Sequence, residues 1–186
     1  GYQSAAKSFF ESVRLNYSAK KWAAAASGTY RNSKDYRSGG GTVIPFSRYE
    51  KVNYSLSVKF QQSRNIYLKA DMLADDGWNI GYPALTMDVG YAAAKIASMG
   101  IRYEDASKKI YGWQAKVYTN HIKHFMDDTH RPNAAIHMDM PGLSKTSGIY
   151  AEAGYRINKK QEIAVKADAA SSFLKASMTM HQPGQQ

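Results

Sequence analysis

At 186 residues with no cysteine, the chain is long enough for one domain with a real core, and disulfides, thiolate metal sites and cysteine nucleophiles are excluded. Nothing approaches the roughly 20 consecutive apolar residues of a spanning helix, the alanine run at 23–26 being far too short. The formal charge of +10 is dispersed along the chain, which favours a solvated surface over a nucleic-acid or anionic-lipid patch.

Tyrosine outnumbers phenylalanine by 14 to 6, and tyrosine is the aromatic that keeps one end wet and the other apolar. That excess points to an interface. A negative mean hydropathy suits a soluble domain and a membrane barrel equally, because barrel strands alternate apolar and polar residues.

In chain order, the first alternation sets Val13, Leu15 and Tyr17 on one side; a polar turn at 19–21 follows, and the chain returns over 22–31. The clearest period of two lies at 50–60, where Val52, Tyr54, Leu56, Val58 and Phe60 face away from Lys51, Asn53, Ser55, Ser57 and Lys59. A turn at 61–65 leads to Ile66, Leu68, Ala70 and Met72. A third pair joins 91–103 through 104–108 to Tyr111, Trp113, Ala115 and Val117. A fourth joins 149–157 through 158–160 to Ile163, Val165, Ala167 and Ala169. Four hairpins predict about eight strands.

Connections alternate in length, short and polar at one end and long at the other, over about 34–48, 75–90 and 127–146. Such segregation, with strands past ten residues, is the habit of an outer-membrane barrel and not of a soluble sandwich. Short turns on the periplasmic side would put both chain ends outside, and the tail from 178 to 186 lacks an aromatic ending. An internal segment of a larger barrel is therefore expected.

Soft donors gather at the long-loop end. His121, His124, Met126, His130, His137, Met138 and Met140 fall within one strand end and its loop, with Met87, Met178, Met180 and His181 mapping to the same end. Thioether and imidazole groups without cysteine suit copper, Cu(I) above all. Parity with Gln114, Lys116, Tyr118 and Asn120 turns His124 and Met126 inward if the strand is unbroken. The expected metal set is His124, Met126, His137, Met138 and Met140; the competing reading is that the methionines only fill loop packing. Asp127, Asp128 and Asp139 lack calcium-loop spacing, and the glycines at 39–41 have no lysine-threonine sequel, so neither a calcium loop nor a phosphate loop is expected. No serine, histidine and acid trio stands out, and no enzyme is expected.

The order Asn79, Ile80, Gly81, Tyr82, Pro83, Ala84, Leu85, Thr86, Met87, Asp88 resembles a loop segment of TonB-dependent outer-membrane receptors. His124, Phe125, Met126, Asp127 and Asp128 resemble more loosely a His-x-Met-Asp-Asn stretch of the copper-associated branch, with Asp128 in place of asparagine. His137, Met138, Asp139, Met140, Pro141 and Gly142 point the same way.

This resemblance implies an all-β fold, an antiparallel up-and-down transmembrane β-barrel of ~22 strands, of which residues 1–186 form a partial barrel domain without plug or energy-coupling box. It implies the bacterial outer membrane as location, outer-membrane lipid and lipopolysaccharide as surroundings, and contact with the TonB complex through the missing N-terminal region. It further implies import of a scarce solute: copper, carried as transported ligand with no resident cofactor, or alternatively a siderophore-iron chelate. A complete small eight-stranded outer-membrane protein is the other alternative, and nucleic acid is not an expected partner.

Overall fold

The computed structural model describes residues 1–132 and 136–181. Its strands are β1 (Tyr2–Gln3), β2 (Ser8–Ser18), β3 (Trp22–Ser33), β4 (Tyr49–Gln61), β5 (Ile66–Ile80), β6 (Asp88–Glu104), β7 (Ile110–Asp127), β8 (His137–Asn158), β9 (Gln161–Ala176) and β10 (Thr179–His181). From β2 to β9 each strand pairs antiparallel with the next in chain order, in one sheet. Eight long strands is the expected number. The short β1 extends along β2, and β10 continues the line of β9 against β8. This is the up-and-down order of a barrel wall, and among the described residues the sheet does not close on itself.

Alternation gives the sheet two chemically different faces. Rows of cross-strand partners such as Val58, Ala70, Met99, Val117, Ile149 and Ala169 carry one face, which leaves large apolar side chains exposed: Leu15 at 67%, Met99 at 60%, Ile149 at 60%. Water-soluble folds bury such rows.

The opposite face holds the polar network. Asn53 donates to Asp75, Ser57 to Asp71 at 2.8 Å, Gln114 to Glu152 at 2.9 Å and Tyr118 to Asp168 at 3.0 Å. Lys51–Asp75 and Lys69–Asp71 add ion pairs on the same side.

Two long connections are shorter than the sequence suggests. Residues expected as loop at 75–90 are strand up to Ile80 and again from Asp88, and those expected at 127–146 are strand from His137 onward. The cause is physical. The apolar half of the alternation stops where the strands rise past the apolar band, but the hydrogen-bonded ladder continues through Asp75, Asp76, Gly77 and even Pro141.

Glycines on the polar face of β8 receive rings from β7. Gly142 sits opposite His124 and Gly148 opposite Tyr118, and Tyr111 packs on Gly154. Filling a glycine gap with a neighbouring ring lets adjacent strands keep close contact on that side. A methyl group on Gly148 would lie 2.5 Å from the Tyr118 ring and 2.8 Å from the Ala169 carbonyl oxygen, whereas one on Gly28 would meet nothing within 4 Å. Gly148→Ala should therefore destabilise the intact barrel by about 1–3 kcal/mol, and Gly28→Ala should stay within about 0.5 kcal/mol of wild type. Urea midpoints in lipid vesicles read the difference, and equal midpoints would show that the ring-on-glycine contact carries no weight.

Candidate functional site

The long-loop end is built as one connected rim. Asp35 accepts from the amides of Ser47 and Arg48 at 2.8 and 3.0 Å, closing the connection between β3 and β4. Gly81 presses so closely on the Phe46 backbone that no side chain fits there, and its amide donates to Arg48 at 2.9 Å. Arg131, from the β7–β8 connection, pairs with Asp88, donates to the Tyr82 carbonyl at 2.9 Å and lies over the Phe46 ring at 4.0 Å from its centroid. Side-chain exposure of 11% for Arg131 and 14% for Asp88 makes this a sheltered contact. One guanidinium thereby ties three connections together.

Asp128 starts the β7–β8 connection and is 4% exposed. It accepts from the Met138 amide at 3.0 Å and lies 3.0 Å from His137 Nδ1. Burial pushes its carboxyl up, but the bonds from the Met138 amide and the His137 ring outweigh this and hold it below the usual carboxylate range. A buried acceptor thus fixes where β8 begins. On the far side of β8, Asp139 lies 2.7 Å from His181 Nε2.

The register then sorts the soft donors by face. Strands β7 and β8 stay in one register from Gly112 to Asp127, so Met126 sits directly opposite Met140, and His124 sits one row nearer the short turns on the same polar face. Strand β10 places Met180 opposite Met138. Because β9 and β10 share one register against β8, Met178 falls opposite Met140 on its other side. Met126, Met140 and Met178 therefore make one row and Met138 and Met180 the next, with strands ~4.8 Å apart. Directly opposite residues are the ones that touch in a sheet.

Of the five expected ligands, the fold brings Met126, Met138 and Met140 together and keeps His124 beside them. His137, odd in a strand whose methionines are even, shares the opposite face with Asp139 and is engaged by Asp128. Met178 and Met180 complete the lattice; the sequence shows only that they reach the same end, and their pairing needed the register. Among the described residues no three His, Asp or Glu groups converge on a cation position, so thioethers are the distinctive donors of this rim.

With this geometry in view, the chain was compared with known proteins. No family model matches it, and no curated protein matches it. Among solved structures, the copper transporter OprC aligns over 94% of this chain with a TM-score of 0.84 at 19% identity. The fold is that of an outer-membrane barrel wall. The chain spans 28% of the length of that protein, so the likeness concerns the wall alone.

Because the Asp128 carboxylate is held below its usual range, its contribution is complete above the unfolded value of about 3.9 and is lost as pH falls through the lower folded value. Hydrogen-exchange protection of the Met138 amide, corrected for intrinsic rate, should thus survive to below about pH 3.9 in the intact protein. In Asp128→Asn it should be weaker and flat across that range. Loss of protection at ordinary carboxylate pH in the unmodified protein would contradict the assigned anchor.

Proposed function

We propose that this chain is a stretch of the wall of a TonB-dependent outer-membrane transporter whose cargo is copper. On this reading it carries transport and no catalysis, and energy reaches the whole protein through an N-terminal region outside this chain. The observation that carries the proposal is the lattice of Met126, Met138, Met140, Met178 and Met180 on one face of the rim. Thioethers bind soft Cu(I) and neglect harder cations. They are also unbranched and movable, so a weakly held ion can pass between neighbouring sulfurs. His124, one row down on the same face, provides the next donor toward the short-turn end. The likeness to the OprC wall supports the same reading.

The apolar face is then the lipid face. Leu56 lies mid-row there and is 46% exposed. Leu56→Arg should cost about 2–4 kcal/mol of folding free energy in lipid, as an arginine near the bilayer midplane does. Equal folding yields in vesicles for the two proteins would show that this face does not meet lipid.

For the cargo, simultaneous substitution of Met126, Met138 and Met140 by Leu removes the sulfurs while nearly conserving volume. Copper retained by the purified intact receptor should fall severalfold, with barrel folding unchanged. Unchanged copper content together with uptake of an iron chelate would replace the copper reading with the siderophore one.

A further inference from the structure

The lipid-facing side carries one feature that an apolar band does not explain. Just above the apolar rows, Lys95 on β6, His121 on β7 and Lys145 on β8 stand directly opposite one another in a single cross-strand row. The next row on the same face holds Lys123 on β7 and Lys175 on β9, separated by Leu143. All four lysines are exposed, and among the described residues none has a carboxylate within salt-bridge distance. The nearest acid of these rows, Asp76 on β5, is engaged by the Tyr91 hydroxyl at 3.2 Å. These lysines stand diagonal to one another or one strand apart, with His121 or Leu143 between them, so that four strands contribute to one crowd of like charge within reach of long side chains. On the polar face of β4 and β5, by contrast, Lys51 meets Asp75 and Lys69 meets Asp71.

We infer that Lys95, Lys123, Lys145 and Lys175 form a docking site for a phosphorylated lipid headgroup in the leaflet at the long-loop end. The inference rests on the membrane reading above. Height supports it first. The stacked pair Tyr103–Trp113, with centroids 6.0 Å apart, marks the lower border of the apolar face. His121 and Lys123 stand eight and ten residues above Trp113 on β7. At about 3.4 Å per residue and a tilt of about 40°, that is about 21–26 Å, the height of an apolar band of about 25 Å. The ammonium groups therefore lie at headgroup level.

Charge supports it second. A phosphomonoester carries about −1.5 to −2 near neutral pH, so two of them match four lysines, whereas one phosphodiester would leave most of the charge unanswered. Lysine serves such groups as a point-charge donor. Shape supports it third. A depression of about 390 Å³ beside the lysines is lined by Tyr91, Lys123, Phe125, Pro141, Leu143 and Lys175. Aromatic and proline faces next to two ammonium groups suit a sugar ring that bears phosphate. The occupant is thus a lipid with phosphomonoesters on a saccharide, the chemistry of lipid A in lipopolysaccharide.

The test uses the intact receptor in detergent with three probes: bis-phosphorylated lipid A, the same lipid after enzymatic dephosphorylation, and phosphatidylglycerol. Binding is read by native mass spectrometry and by the shift in Tm. Lipid A should bind and raise Tm, while the other two should not. The fourfold Lys→Gln variant at 95, 123, 145 and 175 should bind lipid A at least about tenfold more weakly, given about 1 kcal/mol per lysine near a charged surface. The fourfold Lys→Arg variant should retain binding and so controls for folding. Equal binding of dephosphorylated lipid or phosphatidylglycerol, or full binding by the Lys→Gln variant, would overturn the site. If lipid A fails while the receptor still fractionates with the outer membrane and keeps its copper, only this inference falls. A receptor that is soluble without detergent would overturn the membrane reading itself.

Discussion

Everything in this molecule depends on a long antiparallel ladder in which each strand from β3 to β8 keeps its register with the next over a dozen or more residues, the register shifting only at Val89/Tyr91, Ile110/Gly112 and Arg156/Asn158. Strands with a long neighbour on both sides have their backbone satisfied within the sheet, which is the condition for a strand to cross a bilayer at all. The same ladder divides the side chains into two populations with no third option. A slip of one residue on any strand would turn lysine and aspartate toward the apolar side. Register is therefore the quantity on which folding and function both depend.

The two faces solve different problems with the same strands. On the polar face, carboxylates are paired with amide, hydroxyl and ammonium partners, as between Asp75, Asn53 and Lys51. Ring-on-glycine contacts from Tyr118 and His124 keep β7 and β8 close there. On the apolar face the middle rows carry apolar side chains, and a contact between the Thr119 and Ser147 hydroxyls at 2.9 Å lies just below the lysine rows. Small residues such as Ala24, Ala26, Ala151 and Ala167 alternate with Leu56, Met99 and Val117, so that face offers area without shape.

At the rim, precision comes from a few sheltered polar groups and not from apolar packing. Arg131 reaches from its own connection to Asp88, the Tyr82 carbonyl and the Phe46 ring, and Asp128 holds the first residues of β8. Those two anchors define where β8 starts, and the start of β8 defines which methionines face which partners. The thioether lattice is thus a consequence of loop electrostatics acting through strand register.

The sequence by itself determined the fold class, because a period of two with one apolar half is local information: Val52 through Phe60 announces a two-faced strand without reference to any neighbour. It also determined the four hairpins, the segregation of short and long connections, and the common face of His124 and Met126, since parity runs along a single chain. Above the apolar band both faces are wet and the alternation loses its contrast. Strand there looks like loop, as at Asp75, Asp76, Gly77 and Pro141. Only the tertiary structure decided what stands opposite what. It set Met126 against Met140 and Met178, turned His137 to the other side, and brought Lys95, His121 and Lys145 into one row. Those pairings join residues far apart in the chain, and their register is fixed by the sum of ladder bonds and turn geometry, which no single segment encodes.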